Sequence, residues 1–364
     1  MNKGKRNSGA GEGSASGQPR KPRRALQNEK PHTPIKRRRN PVRLAALDLG
    51  TNNCRLLIAA PRGRGFRIVD AFSRIVRLGE GLSQSGVLSD PAMDRTIDAL
   101  RVCAEKVEKR GVTHMRCIAT QACRGAGNGG QFLDRVKSAV GLEFDIISTE
   151  EEARLAVAGC AELMDINAKA GLIFDIGGGS TELSWVRRKA HGSGFEIAAW
   201  TSMPVGVVSI AEKWGGREMT AATYAAIVDD VRAMIARMGD PASMKALFAA
   251  DAAHLLGTSG TVTSIAGVHL GLSRYRRDKV DGLWLTHKEA QSVTRKLRSM
   301  SFEERADEPC IGVERADLVV SGCAILEALQ LEWPASRIRV ADRGLREGIL
   351  ADLARQANAR QRRR

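Results

Sequence analysis

The sequence predicts an α/β protein made of two similar units with a cleft between them. Three observations predict it. Two segments, ALDLGTNNCRLLIA and IFDIGGGSTELSWV, superimpose without a gap, and their aspartates, Asp48 and Asp175, lie 127 positions apart. After each segment, strand-like runs alternate with helical patterns, the signature of a layered α/β fold. Hydrophobic residues make up 43% of the chain, enough for sizeable cores, while aromatics are only 4%, so those cores are aliphatic.

The elements follow in order. Residues 1–40 are Gly, Ser, Pro, Lys and Arg with almost no apolar residue, which reads as a disordered basic tail. From Val42 a strand, VRLAALD, runs into the turn Gly50-Thr51-Asn52-Asn53 and a second strand, CRLLIAA; FRIVDAF adds a third. A helix over about 91–110 opens with Ser89-Asp90-Pro91, where proline suits the first turn. The strand MRCIAT, a helix near 131–140, the strand FDIIS and a helix from Thr149 through Leu163 complete the first unit, residues 41–169. The second unit, 170–343, restarts with strand LIFDIG, a Gly177-Gly178-Gly179-Ser180 turn, and strands TELSWVR and GFEIAAW. Helices near 205–214, 220–238, 286–299 and 314–331 and strands HLLGTS and RIRVAD follow. A last helix, about 344–358, is expected to pack back on the first unit.

The turns carry the chemistry. Small residues let backbone N–H groups converge into an anion-binding nest. The candidate phosphate-binding positions are Gly50, Thr51, Asn52 and Asn53 in one copy and Gly177, Gly178, Gly179, Ser180 and Thr181 in the other. A carboxylate beside a polyanion repels it unless a cation intervenes, and Mg²⁺ is the natural one. Asp48 and Asp175 thus read as metal-positioning groups. A strand–Asp–Gly turn is also an ordinary hairpin, but two copies in register weigh against accident. No GxGxxG or Walker A loop is present, and a strand rather than a helix follows each turn.

Three further signals have two readings each. Glu150-Glu151-Glu152 fits a capping box with Ser148 or Thr149; alternatively, one of these carboxylates activates water. Arg124 is an exposed loop arginine or a fork for a terminal phosphate. LLGTSGTVTSIAG, with Gly257 and Gly260, is a plain helix start or another phosphate site.

Charge and cysteines bound the rest. The net charge is +16, of which +10 lies in residues 1–40 and +4 in 351–364, leaving +2 for 41–350. Basicity therefore sits at the ends, and a nucleic-acid-binding fold does not follow from it. The tail is either an inert solvated arm or a weak collector of polyanions such as polyphosphate or RNA. Seven cysteines, none in a CxxC pair, read as buried thiols in a reducing cytoplasm. No apolar run reaches the roughly 18 residues of a membrane span, so no membrane contact is expected.

With these motifs the chain resembles the exopolyphosphatase/guanosine pentaphosphate phosphatase family of the actin–hexokinase–Hsp70 superfamily. The resemblance rests on ALDLGTNNCRLLI, IATQACRGAGN, ISTEEEARLAVAGC, LIFDIGGGSTEL, MPVGVVSIAEKW, LLGTSGTVTSIAG, ERADLVVSGCAILEAL and ADRGLREGIL, and spans about 41–350. It implies two ribonuclease-H-like domains of the actin-like ATPase type, each with a five-stranded mixed sheet flanked by helices. It implies Glu152 as catalytic residue, Asp48, Glu152 and Asp175 around the metal, Arg124 gripping phosphate, and a homodimer. Asn53 stands where relatives carry a hydroxyl, and Asp281 where many carry histidine.

The expected activity is release of terminal orthophosphate from inorganic polyphosphate with a divalent metal. Guanosine pentaphosphate is the alternative substrate. A small-molecule kinase or a non-catalytic filament or chaperone-like member of the same superfamily are the rival classes.

Overall fold

The computed structural model describes Gly9, Ala10 and residues 41–63, 65–191 and 194–362. The tail expected to be disordered lies outside the described residues, apart from Gly9 and Ala10. Residues 41–364 form one compact unit holding two sheets.

The first sheet has the order β3-β2-β1-β4-β5. Its strands and helices run β1 (Leu44–Leu49), β2 (Asn53–Arg62), β3 (Gly65–Ile75), a single turn α1 (Leu82–Ser85), α2 (Asp90–Lys109), β4 (His114–Ala119), α3 (Gln121–Gly125), α4 (Gly129–Val140), β5 (Asp145–Ile146) and α5 (Thr149–Cys160). The second sheet opens with β6 (Ala170–Ile176), β7 (Thr181–Arg188) and β8 (Phe195–Met203). Then come α6 (Val207–Trp214), α7 (Ala221–Ala236), α8 (Lys245–Ala249), β9 (Ala253–Thr258), α9 (Ser259–His269), α10 (Arg277–Val280), β10 (Trp284–Thr286), α11 (His287–Ser299), α12 (Phe302–Asp307), α13 (Val319–Glu332), β11 (Arg337–Val340) and α14 (Leu345–Arg362). Its strand order is β10-β11-β9-β6-β7-β8.

The duplication is visible in the pairing. β1 is antiparallel to β2 and parallel to β4, and β6 is antiparallel to β7 and parallel to β9. Both central strands are buried on both faces, which is why they read as continuous apolar runs rather than alternating ones. The second sheet carries a sixth strand, β10, where five were expected. It is three residues long and pairs only with β11, so GLWLT has too little pattern to announce it.

Two other expectations need correction. FDIIS forms only a two-residue strand, because Ser148 is taken as the N-cap of α5. The helix expected from 314 starts at Val319, because residues 314–317 turn toward other partners described below.

One face of the first sheet packs on α2 and α4 through Ile97, Leu100, Phe132 and Val136. The other takes Leu155 of α5 and Ile349, Leu350 and Leu353 of α14. Val157 and Cys160 of α5 also reach the second sheet, against Ile173, Val186 and Leu256. α5 thus packs on both sheets. Its crossing with α14 is very close: a Cβ on Gly348 would lie 2.0 Å from the Leu155 carbonyl oxygen. All seven cysteines are buried and unpaired. No helix among the described residues is long and apolar enough to cross a membrane.

Candidate active site

Both turns open on one cavity of about 660 Å³. Each closes in the same way. Gly50 N–H donates to the Asn53 carbonyl at 2.9 Å, and Gly177 N–H donates to the Ser180 carbonyl at 2.9 Å. Those two amides are therefore spent on the turns themselves, and phosphate contact falls to the residues between.

The carbonyls of the turns are tied down from behind. Val76 and Arg77 N–H donate to the Asn52 carbonyl, and Gly79 N–H donates to that of Thr51. On the other side Val207 N–H holds the Gly177 carbonyl at 3.0 Å, and Val208 N–H holds that of Gly178 at 2.8 Å. With the oxygens engaged, the turn presents N–H groups and small side chains, a nest that favours anions. The turns also abut one another. A Cβ on Gly178 would stand 3.0 Å from Thr51 Cβ, so any side chain there would have to push Thr51 back.

Asp48, Asp175, Glu152 and an acidic residue the sequence reading passed over, Glu182, line the same cavity. In the hairpin register Asp48 faces Arg55 and Asp175 faces Glu182. Each partner lies seven positions after its aspartate, so the repeat alignment itself held the signal: a charged residue at the same place in two apolar strands. Burial raises the Asp48 carboxyl above the usual range, with Arg55 and Arg346 pulling it back. Asp175 is pushed up to about 7 by burial, then by Glu182, with Arg55 opposing. Glu182, bonded by the Ser202 hydroxyl at 2.9 Å, is also raised by burial.

Glu152 is not the capping residue. Ser148 Oγ accepts from Glu151 N–H at 3.2 Å, and the Glu151 side chain pairs with Arg116 at 2.9 Å. That leaves Glu152, one position further along α5, free to face inward with its side chain 13% exposed. Its pKa is raised well above the ordinary value by burial and by the Glu182 charge, against the pull of Arg124.

Arg124 does not line the cavity. Its guanidinium donates to Glu152 Oε2 at 3.1 and 3.2 Å, to the Ile147 carbonyl at 2.7 Å and to Gln121 Oε1 at 2.9 Å. It holds the glutamate instead of standing open to a phosphate. Two other expected positions also fall outside. The Thr181 hydroxyl donates to the Val205 carbonyl, and Gly257 sits inside β9, where a Cβ would lie 2.5 Å from the Phe174 ring. Gly260 does line the cavity, beside Arg315. The start of α9 has Ser259 at φ +89° with its buried Oγ unpartnered, backbone strain of the kind found at functional sites.

The cationic lining was missed from sequence. Arg55 and Arg346 line the cavity with no ion-pair partner among the described residues, and Arg315 makes only a 3.5 Å contact to Ser264. Arg277 is held by Glu347 at 2.7 Å. Tyr275, the cavity's aromatic residue, bonds Asp342 at 2.6 Å. Asp281 is taken by Arg343 and by Asp342 N–H, so its role is structural.

The carboxylates do not form a closed metal cage. Among the described residues no three His, Cys, Asp or Glu side chains converge as a metal-binding group; Asp48, Glu152 and Asp175, the expected metal set, line one cavity. The donors nonetheless fit a hard cation that keeps waters and takes one or two carboxylates. Burial raises both Asp48 and Asp175, with Glu347 adding to the first and Glu182 and Asp48 to the second, and the buried Asn52 and Asn53 Oδ1 atoms have no hydrogen-bond partner among the described residues.

The fold and site together define a class: a duplicated two-sheet protein in which two Asp-bearing turns and a buried glutamate line one cavity. The Ppx/GppA phosphatase family model matches residues 57–357, and the chain belongs to that family. It is 29% identical over 318 residues to a guanosine-5'-triphosphate,3'-diphosphate pyrophosphatase of Photobacterium profundum. That match covers 86% of this chain and 60% of the relative, so the chain spans less than two thirds of the relative's length. The Aquifex aeolicus member of the family superimposes with TM-score 0.71 at 26% identity, over 87% of this chain and 99% of that one. An exopolyphosphatase-like protein superimposes with TM-score 0.77 at 27% identity, over 88% and 99%. The two ribonuclease-H-like domains of the actin-like ATPase fold are thus shared with these relatives.

Proposed function

We propose that this protein is a divalent-metal-dependent phosphohydrolase that releases terminal orthophosphate from inorganic polyphosphate. The observation that carries the reading is Glu152. It is relieved of capping, held by Arg124 and buried in the lining of the cavity onto which both turns open. A carboxylate raised toward the working pH is a competent general base.

In this reading Glu152 takes a proton from water as the water oxygen bonds to the terminal phosphorus. The bridging P–O bond breaks, and its electron pair leaves with the shortened chain. The N–H groups of Thr51–Asn53 and Gly178–Ser180 hold the oxygens that gain charge, and Arg55, Arg315 and Arg346 hold the following phosphates. Asp48 and Asp175, with water, would hold Mg²⁺, which supplies charge neutralisation on phosphate oxygens when bound. Arg124 positions Glu152 and leaves phosphate binding to the cavity arginines.

Glu152→Gln keeps the Arg124 contact but loses the base. It should fold with an unchanged melting temperature and release phosphate about 10²–10⁴-fold more slowly. A variant as active as wild type in a phosphate-release assay would sink the reading.

A second reading, guanosine pentaphosphate 5'-phosphohydrolase, is favoured by Tyr275 and by the name of the Photobacterium relative. A single half-exposed tyrosine next to Arg315 suits a purine and its attached phosphates. Parallel phosphate-release assays on defined-length polyphosphate and on guanosine pentaphosphate decide between the two. Transfer of phosphate to an added acceptor instead of water would indicate the kinase class.

A further inference from the structure

We infer that the Arg77–Asp317 ion pair, with Glu212 beside it, is a clamp that sets the two phosphate turns against each other, making Arg77 and Asp317 positioning residues for the reaction. The inference rests on the proposed use of both turns on one substrate.

The clamp is built on the backbone that holds each turn. Residues 76–79 carry the carbonyls of Thr51 and Asn52. Their packing on the turn is tight, since a Cβ on Gly79 would lie 2.3 Å from Thr51 Cγ2. Arg77, within this segment, has φ +48°. A non-glycine residue pays for that left-handed conformation and keeps it only where its surroundings over-determine it. Here its guanidinium forms a bidentate fork on Asp317, 2.9 and 3.1 Å, and reaches the Glu314 carbonyl at 3.2 Å.

Asp317 and Glu314 flank Arg315, which lines the cavity. The fork therefore joins the support of the first turn to the loop that presents a cavity arginine. It also explains why the helix after this loop starts late, at Val319.

The second connection runs through α6. Glu212 accepts from Gly81 N–H at 2.7 Å and from the Ser83 hydroxyl. The first N–H groups of that same helix hold the Gly177 and Gly178 carbonyls. One eight-residue helix thus grips the second turn at its start and, near its end, the residues that directly follow the first turn's supporting segment. A separate small cavity of about 160 Å³ lies between these contacts, lined by Arg77, Glu212 and Asp317 and distinct from the substrate cavity.

An exposed single ion pair contributes little to stability. This one is half-buried, bidentate and mounted on a strained backbone, so its effect should appear in alignment more than in folding. Alignment of reacting groups is steep in its effect on rate and binding.

The test uses the full chain with Asp317→Ala, Arg77→Asp, Asp317→Arg and the double exchange Arg77→Asp/Asp317→Arg. Hydrogen exchange is followed at the amides of Val76, Gly79, Val207 and Val208, whose hydrogen bonds hold the two turns, and KM and kcat are measured on polyphosphate. The single variants should exchange faster at the amides holding both turns and raise KM about tenfold or more. Their melting temperatures should stay near wild type, and the double exchange should recover most of both effects. Unchanged exchange at these amides in folded single variants, or a double exchange no better than its singles, would overturn the clamp. Because exchange is read without substrate, this outcome is separable from a wild-type protein that proves inactive on polyphosphate.

Discussion

At the scale of single residues, the site is a set of carboxylates that do not want to be ionised together. Asp175 illustrates the consequence. An aspartate in the unfolded chain loses its proton near pH 4, at about the ordinary value, whereas the folded Asp175 keeps it to about 7. Between those values the folded state binds more protons than the unfolded one. Stability contributed by this group therefore falls as pH rises from about 4 to about 7, and does not fall further above that. A bound cation would offset the loss only where the pair is ionised. Mg²⁺ should accordingly raise the melting temperature at pH 8 and do little at pH 5, as read by scanning fluorimetry with and without EDTA. Asp175→Asn should flatten the fall of melting temperature between pH 5 and 8 and shrink the Mg²⁺ effect. An equal Mg²⁺ shift at both pH values would argue that the cation binds elsewhere.

At the scale of elements, the sequence held the frame better than the fine fittings. The two Asp-bearing strands and their turns were legible because each copy combines a fully apolar strand with residues that only a turn tolerates. Glu152 was ambiguous in sequence, since three successive glutamates at a helix start satisfy a capping box equally well. Only the register of Ser148 separates Glu151 from Glu152. Arg124 was legible as special but not as Glu152's partner, because that contact joins elements whose spacing no local pattern fixes. Arg55 and Glu182 were hidden as lone charges in apolar strands, although the hairpin register places them opposite Asp48 and Asp175. The last helix was expected on the first unit and packs there, but its close crossing with α5 was not legible, because it depends on two helices about 190 residues apart in sequence. It gives a direct test: Gly348→Ala drives a Cβ into the Leu155 carbonyl. Such overpacking should lower stability by about 1–3 kcal/mol, measured by urea denaturation. No loss of stability would mean that the two helices can separate without cost.

At the scale of the whole molecule, charge is unevenly placed. Residues 41–350 carry a net charge of only +2, while residues 1–40 hold twelve Lys and Arg against two Glu. If that segment gathers polyanions, its removal should raise KM for polyphosphate at low ionic strength and matter little near 1 M salt, where the Debye length is about 3 Å. Steady-state kinetics of the full chain and of a chain starting at Pro41, across a salt series, measure this. Equal KM values at all salt concentrations would make the segment an inert arm.

The way the turn carbonyls are tied from behind has a further consequence. GTNN and GGGS share only their opening glycine, yet both present the same row of main-chain donors. In the proposed reading the affinity for an anion is then stored in peptide groups whose direction is set by neighbours, Val207 and Val208 for one turn and residues 76–79 for the other. Side chains in the turns then have room to vary, apart from the close-packed Gly177 and Gly178. Mutational tolerance should therefore be greater at the non-glycine position Asn53 than in the scaffolding segments that aim the two turns.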